Sequence, residues 1–197
     1  TPRRRHPGPL VVVNEHTEER AAPGVLARLA RGERVALVSD AGMPGISDPG
    51  ERLVAAAVAA GHVVEVVPGP SASVAALVVS GLPAGRFVFE GFLPRKGSGR
   101  SERLVAVAAE RRTAVLYEAP HRLARTLADL VDACGGDRRV AIAREITKIH
   151  EQVWRGTLAE AVAWVAEREP PGEIVRVLAG APVDAPPDDN ALLSAVL

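Results

Sequence analysis

The chain has 197 residues, 47% of them hydrophobic, with 24 basic and 24 acidic side chains. That length carries one large or two small α/β domains, and zero formal charge argues against wholesale coating of a polyanion while leaving room for a local basic patch. The single Cys134 excludes an internal disulfide and fits a reducing cytoplasm; no apolar run approaches the roughly 20 residues of a membrane helix, and the opening residues do not read as a secretory signal.

Residues 1–9 are too polar and proline-rich to open a core, so the first predicted strand is 10–13. Asn14-Glu-His-Thr-Glu18 follows it; His16 and Glu18 are candidates for ligand contact there, although a plain surface turn uses the same residue types. A helix is predicted over 19–31 and a buried strand over 35–39. That strand runs into Ser39-Asp-Ala-Gly-Met-Pro-Gly-Ile-Ser-Asp-Pro-Gly50. Connections of about two to six residues are the rule between such elements, so this loop is long. Its glycines let backbone approach a ligand closely, and Asp40 and Asp48 can accept hydrogen bonds from it. Asp48-Pro49 reads as N-cap and first position of a helix over 49–60, ended by Gly61.

A strand over 63–67 delivers a second loop, Val66-Val-Pro-Gly-Pro-Ser-Ala-Ser73, to a helix over 71–80. Backbone N–H groups at that helix start can bind a carboxylate or a polar edge; the signal is weak alone and stronger beside the first loop. The break Ser80-Gly-Leu-Pro-Ala-Gly85 suggests a domain boundary, giving an N-terminal domain over 1–82, a C-terminal domain over 86–180 and a Pro/Asp-rich mobile tail over 181–197.

The second half repeats the alternation. Strands are predicted at 86–90, 114–117, 140–143, 152–155 and 173–179, and helices at 101–110, 120–133 and 157–167. The loop Pro94-Arg-Lys-Gly-Ser-Gly-Arg100 is cationic; it suits a phosphate backbone, as it would suit solvent. In Tyr117-Glu-Ala-Pro-His-Arg122, Glu118 and His121 flank a helix start, whose dipole disfavours imidazolium. The plainer alternative is a surface Glu118–Arg122 ion pair with His121 as cap. Polar residues Arg144, Glu145, Thr147, Lys148 and His150 crowd the end of the 140–143 strand, as a reacting site or as a solvated face. Alternating strands and helices predict mostly parallel sheets with helices on both faces. No zinc-binding spacing, P-loop, GxSxG or GxGxxG occurs, and no metal is implied.

Five segments together are distinctive: 39–50, Pro68-Gly-Pro-Ser-Ala72, Phe87-Val-Phe-Glu-Gly-Phe-Leu-Pro-Arg-Lys96, 117–122 and Ala143-Arg-Glu-Ile-Thr-Lys-Ile-His-Glu151. In order and spacing, from about Val11 to Gly180, the set resembles the bacterial ribosomal RNA small subunit methyltransferase I family, which shares its fold with the tetrapyrrole methylases. The resemblance implies two α/β domains with S-adenosylmethionine in the cleft between them, in a homodimer. It implies methylation of the ribose 2′-hydroxyl of a cytidine in 16S rRNA, on the 30S subunit. The family's cofactor loops map onto Asp40, Ala41, Gly42, Met43 and Ile46, and onto Ser71 and Ala72, with Tyr117, Glu118, Ala143 and Arg144 closing the pocket. Gly42-Met43-Pro44 stands where tetrapyrrole relatives carry Gly-Asp-Pro, which favours the rRNA branch. The family's opening strand, its Pro-Ile-Gly-Asn type loop and its acidic Glu-Asp-Thr-Arg segment are not among these residues; the expectation is that the protein has them, because a sheet without its first strand leaves a buried edge unpaired.

On that resemblance a ribose hydroxyl, a poor nucleophile, needs a base or a cation beside the forming alkoxide. Lys148, Glu145, Glu118 and His121 are the candidates. Lys148 leads, as base if burial lowers its pKa or as an electrostatic clamp if it stays charged, with Glu145 orienting it. Arg144, Arg122, Arg95, Lys96 and Arg100 are expected to hold RNA phosphates, and His16 and Glu18 to touch ribose or base. Two other functions stay open: methylation of a tetrapyrrole precursor, and a non-catalytic cofactor-binding or dimerisation module.

Overall fold

The structure is a computed structural model that describes residues 9–14, 16–40, 42–167 and 170–182. Ala41, the first eight residues and the expected tail from 183 onward lie outside the described residues. The chain divides into two compact units, Thr1–Ser71 and Ala72–Leu197.

The first unit holds α1 (Glu18–Ala30) and α2 (Glu51–Ala59), packed on each other. Asn14 builds the entry to α1: its Oδ1 accepts the N–H groups of His16 and Thr17, each at 3.0 Å. α2 starts later than its Asp48-Pro49 signal, with Gly50 as N-cap at φ 136°. Glycine suits this position because an L side chain is strained at that φ, and a Cβ would also stand 2.6 Å from Leu37 Cδ2 and push it aside. The cap comes from far along the chain. Glu18 Oε1 accepts the N–H groups of Gly50 and Leu53, both at 2.9 Å, and Glu18 is buried. A carboxylate at a helix N-terminus satisfies orphan donors and meets the positive end of the dipole.

The apolar runs 10–13, 35–39 and 63–67 do not form strands. Val63 is 86% exposed and Val67 87%. A strand exists only where its N–H and C=O groups find a neighbouring chain; an apolar run marks the tendency and not the partner.

The second unit opens with α3 (Ala72–Ser80) and continues through β1 (Phe87–Phe92), α4 (Ser98–Ala109), β2 (Thr113–Glu118), a 3-10 turn (Pro120–Arg122), α5 (Leu123–Cys134), β3 (Arg139–Arg144), β4 (Gln152–Thr157), α6 (Leu158–Glu167) and β5 (Ile174–Leu178). Each predicted strand and helix of this half is present within a few residues. α3 packs against β2, β3 and β5, so the units meet at Ser71–Ala72, ahead of the 80–85 break. α4 begins at Ser98 behind Gly97, which places Ser101 inside the first turn and not at the cap.

The sheet order is β1-β2-β5-β3-β4. The expected mostly parallel sheet is corrected here: β1–β2 is parallel, while β2–β5, β3–β5 and β3–β4 are antiparallel. β3 and β4 are joined by a short connection, which suits antiparallel neighbours. β5 returns last and slots between β2 and β3. Side chains alternate across the sheet with period two. Val115, Ala141, Ala143, Val175 and Val177 form one core with Ala76 and Leu77 of α3. Ala114, Leu116, Val140, Ile142, Ile174 and Leu178 form the other with Leu123, Leu127 and Leu130 of α5 and Leu158, Ala161 and Val165 of α6.

Replacing Glu18 by Ala should destabilise the first unit by about 1–2 kcal/mol through the lost cap. Hydrogen exchange at the Gly50 and Leu53 amides should accelerate by the matching factor while α5 amides keep their protection; unchanged exchange would show that the cap carries no stability.

Candidate functional site

Two loops meet in the first unit. Gly42 stands at φ 73°, and a Cβ on it would lie 3.2 Å from the Pro70 carbonyl oxygen. A Cβ on Gly69 would lie 3.4 Å from Met43 Sδ. The 40–46 loop and the 68–71 loop therefore touch through positions that leave room for backbone alone. Asp40 and Ile46 are exposed beside this contact, and Ser47 holds an unusual φ of 55°. Strain at a non-glycine residue collects where function demands a particular loop shape.

In the second unit the candidates fall on one edge of the sheet. Tyr117, Val175 and Ala143 share one register level, and Glu118, Ile174 and Arg144 the next. These are the carboxyl ends of β2 and β3, where open α/β sheets place ligands. Tyr117 faces the α3 side, and Phe89 and Phe92 pack edge-on against its ring at centroid distances of 5.0 and 5.6 Å. Ala72 heads α3 on that side.

Glu118 points the other way, into the core. Its side chain is wholly buried, and its Oε2 accepts a 2.6 Å hydrogen bond from Thr126 Oγ1. Arg176 Nη2 lies 3.4 Å from the same oxygen, and Arg122 Nε 3.4 Å from Oε1. The Glu118–Arg122 pair thus forms, but inside the protein and not on its surface. Arg176 is itself fully buried, and burial pulls its guanidinium down to about 10 against the opposing pull of Glu118. An interior charge of this kind persists only when paired. Sequence reasoning missed Arg176; an arginine inside the apolar run Ile174-Val-Arg-Val-Leu178 was the available signal.

Glu145 and Lys148 meet on the β3–β4 loop. Lys148 Nζ donates to Glu145 Oε1 at 3.1 Å and to Glu173 Oε2 at 3.0 Å. Glu145 also accepts the Glu173 N–H at 2.8 Å. Glu145 and Thr147 hold positive φ values of 51° and 65°, so the loop is fixed in a strained shape. Bonds to Glu173 and Glu145 raise the Lys148 ammonium above its ordinary value, and the Glu173 N–H, followed by Lys148, lowers the Glu145 carboxyl. The net direction for Lys148 is upward, opposite to the lowering by burial that a neutral lysine base requires. Glu173 was not singled out from the sequence. Among the described residues no hydrogen bond or ion pair links this group to Glu118 or His121.

The RNA-contact candidates divide. Glu18 is spent on the α2 cap, His16 and Lys96 are exposed, and Arg144 has a buried Nε without a partner among the described residues. Arg144 lines a cavity of about 260 Å³ with Gln152, Trp164, Glu167, Pro170 and Pro171. Arg95, Arg100, His121 and Arg122 line a second cavity, also about 260 Å³, with Arg125 and Thr126. No helix among the described residues is long and apolar enough to cross a membrane.

The model of the Tetrapyrrole (Corrin/Porphyrin) Methylases matches residues 2–162. Among solved structures, the methyltransferase CobJ superposes with a TM-score of 0.65 at 25% identity, covering 86% of this chain and 74% of that one. Uroporphyrin-III C-methyltransferase from Thermus thermophilus, complexed with S-adenyl homocysteine, gives 0.58 at 24% identity over 88% of this chain and 77% of that one, a likeness of fold. Sequence relatives are closer. Ribosomal RNA small subunit methyltransferase I of Synechocystis is 50% identical over 179 residues, 90% of this chain and 64% of that protein. The Thermotoga maritima protein of the same name is 46% identical over 172 residues, 87% of this chain and 77% of its own. The chain spans 64% of the length of the Synechocystis and Xylella fastidiosa relatives. It belongs to the tetrapyrrole methylase family, within the branch of the ribosomal RNA small subunit methyltransferase I proteins.

Truncating Glu118 to Ala should cost about 3–5 kcal/mol, because it leaves Arg176 as an uncompensated interior charge. The double variant Glu118→Ala/Arg176→Met should unfold at a higher guanidinium concentration than Glu118→Ala alone; equal midpoints would deny the pair its role.

Proposed function

We propose that the chain is the catalytic portion of an S-adenosylmethionine-dependent methyltransferase that modifies a cytidine ribose 2′-hydroxyl of 16S rRNA in the 30S subunit, in the cytoplasm and as a homodimer. The meeting of the 40–46 and 68–71 loops carries this reading. A contact built from Gly42, Gly69 and the Pro70 carbonyl presents backbone groups to a ligand and excludes side chains, which suits the flat polar edges of an adenosyl group. Gly42, Met43, Ile46 and Ser71 are the residues of the first unit that would hold it, with Asp40 as acceptor. When bound, the cofactor supplies a methyl group on a positively charged sulfur. The names of the close relatives support an RNA acceptor.

Lys148 acts as a fixed positive charge and not as the base. An ammonium whose pKa is raised stays protonated through the neutral range. Its bond to Glu173 is exposed, and solvent screening makes pairs of that kind weak. Lys148 can therefore turn from Glu173 to a substrate oxygen at small cost while its Nζ keeps the bond to Glu145 Oε1. The hydroxyl proton passes to solvent, and stabilising the charge that develops on that oxygen is the largest contribution available to such a site. Tyr117, held by Phe89 and Phe92, is a rigid wall beside the acceptor. The tetrapyrrole reading draws on the corrin and porphyrin enzymes among the structural neighbours, and the same assay tests it by offering uroporphyrinogen as acceptor.

Lys148→Arg should retain methyl transfer to 30S subunits within roughly tenfold, and Lys148→Ala should lose about 10²-fold or more. The rate should show no lysine ionisation near neutral pH. An arginine variant as inactive as the alanine one would restore Lys148 as a base. Gly42→Val should weaken S-adenosylmethionine binding by at least about tenfold, or about 1.4 kcal/mol, as read by calorimetry on protein with unchanged far-UV circular dichroism. Full affinity in that variant removes the loop contact from the cofactor site.

A further inference from the structure

We infer that the cavity lined by Arg95, Arg100, His121, Arg122, Arg125 and Thr126 is a seat for a phosphate group, with Arg95, His121 and Arg125 as the ligand-facing donors. The inference rests on the RNA-methyltransferase reading for the source of that phosphate, a phosphodiester of the substrate strand.

The six lining residues divide by what already occupies them. Arg100 is buried and fully engaged: Nε donates to Asp129 Oδ2 at 2.8 Å, Nη1 to the Pro94 carbonyl at 2.8 Å, and Nη2 to Thr126 Oγ1 at 3.1 Å. It acts as a strut that ties the 94–100 loop to α5. Arg122 donates to the Leu93 carbonyl at 2.8 Å and faces Glu118. Thr126 gives its hydroxyl proton to Glu118. These three form a fixed floor. Arg95, His121 and Arg125 are exposed, and among the described residues none of them has a hydrogen bond or an ion pair. Asp129 is held by Arg100, and the Glu118 side chain is wholly buried beneath the floor. Among the described residues no carboxylate lines the cavity.

Cations brought together without counter-charge repel one another, and the arrangement is relieved by an anion. Guanidinium forks match the tetrahedral oxygens of phosphate, which is why arginine leads in backbone recognition. The cavity, about 260 Å³ and open to solvent, has room for one backbone phosphate group. His121 and Arg122 lie three and four residues beyond the end of β2, whose last residue, Glu118, is bonded by Thr126 of the cavity floor. Arg125 was not singled out from the sequence; it lies four residues beyond His121, past the step from the 3-10 turn into α5, and both line the cavity.

The test compares wild type with Arg95→Gln/Arg125→Gln, both exposed positions whose loss leaves the floor intact. Binding of a single-stranded 16S rRNA oligonucleotide is measured by fluorescence anisotropy across a salt series. A parallel NMR titration with inorganic phosphate follows the arginine Nε–H signals. The double variant should bind RNA at least about tenfold more weakly, with the log–log salt slope reduced by about 0.7 per lost contact, and S-adenosylmethionine affinity should not change. Phosphate should shift the Arg95 and Arg125 signals ahead of those of Arg20 and Arg52 on the first unit. Equal RNA affinity and slope in the two proteins, with no preferential phosphate shift, overturns the assignment. Phosphate shifts at Arg95 and Arg125 with no RNA binding by wild type would uphold the seat and sink the RNA reading instead.

Discussion

Arg176 places a full positive charge in the middle of a sheet whose neighbouring inward residues, Leu116 and Ile142, are aliphatic. Water is not available there, so the charge requires a carboxylate, and Glu118 at the end of β2 is the one within reach. Glu118 is then committed: Thr126 on α5 and Arg122 on the preceding turn complete its coordination. The pair therefore sets where β2 stops, how α5 sits on the sheet and which way the 120–122 turn points. Isolated from solvent, such a pair is a weak source of stability but a strong demand on geometry. Nε and Nη1 of Arg176 have no hydrogen-bond partner among the described residues, which shows how little slack the arrangement has.

The same period-two alternation that sends Glu118 inward sends Tyr117 to the opposite face, where two phenylalanines hold it. One strand end thus supplies a structural residue and a candidate site residue from adjacent positions. β3 does likewise: Ala143 faces α3, and Arg144 faces the cavity beside Trp164. Because β5 lies between β2 and β3 and runs against both, their carboxyl ends come to one edge of the sheet. A late antiparallel strand is what lets two parallel-running strands, separated in sequence by α5, present their ends side by side.

Charge is distributed unevenly across a chain that is neutral as a whole. On the β3–β4 loop one ammonium serves two carboxylates, Glu145 and Glu173. Beside the 3-10 turn the balance is reversed: Arg100 and Arg122 are paired, while Arg95 and Arg125 line the same cavity with no ion pair among the described residues. The proposed methylation of an RNA hydroxyl would draw on both arrangements: a cation kept in one state near the acceptor, and cations able to take backbone phosphates. In the first unit the device is different. Gly42 and Gly69 bring two backbones into contact, and Glu18 reaches across to cap α2 behind them.

The sequence by itself determined the elements of the second unit and the identity of the loops. Apolar alternation and helical periodicity are local properties, and 87–92, 113–118 and 139–144 carry them in full. Motif order likewise marked the 40–46 and 68–71 segments as partners before any contact was known. Three things were decided only by tertiary structure. Apolar runs at 10–13, 35–39 and 63–67 could not reveal that they lack strand neighbours, because pairing is a property of two segments. The direction of β5, and with it the antiparallel majority of the sheet, depends on where the chain returns and not on the pattern within the strand. The fate of each charged side chain was hidden for the same reason. Glu18, Glu118 and Lys148 look alike as polar residues beside a loop; one caps a distant helix, one neutralises a buried arginine and one remains at the surface, and only the groups that folding brings beside them separate the three roles.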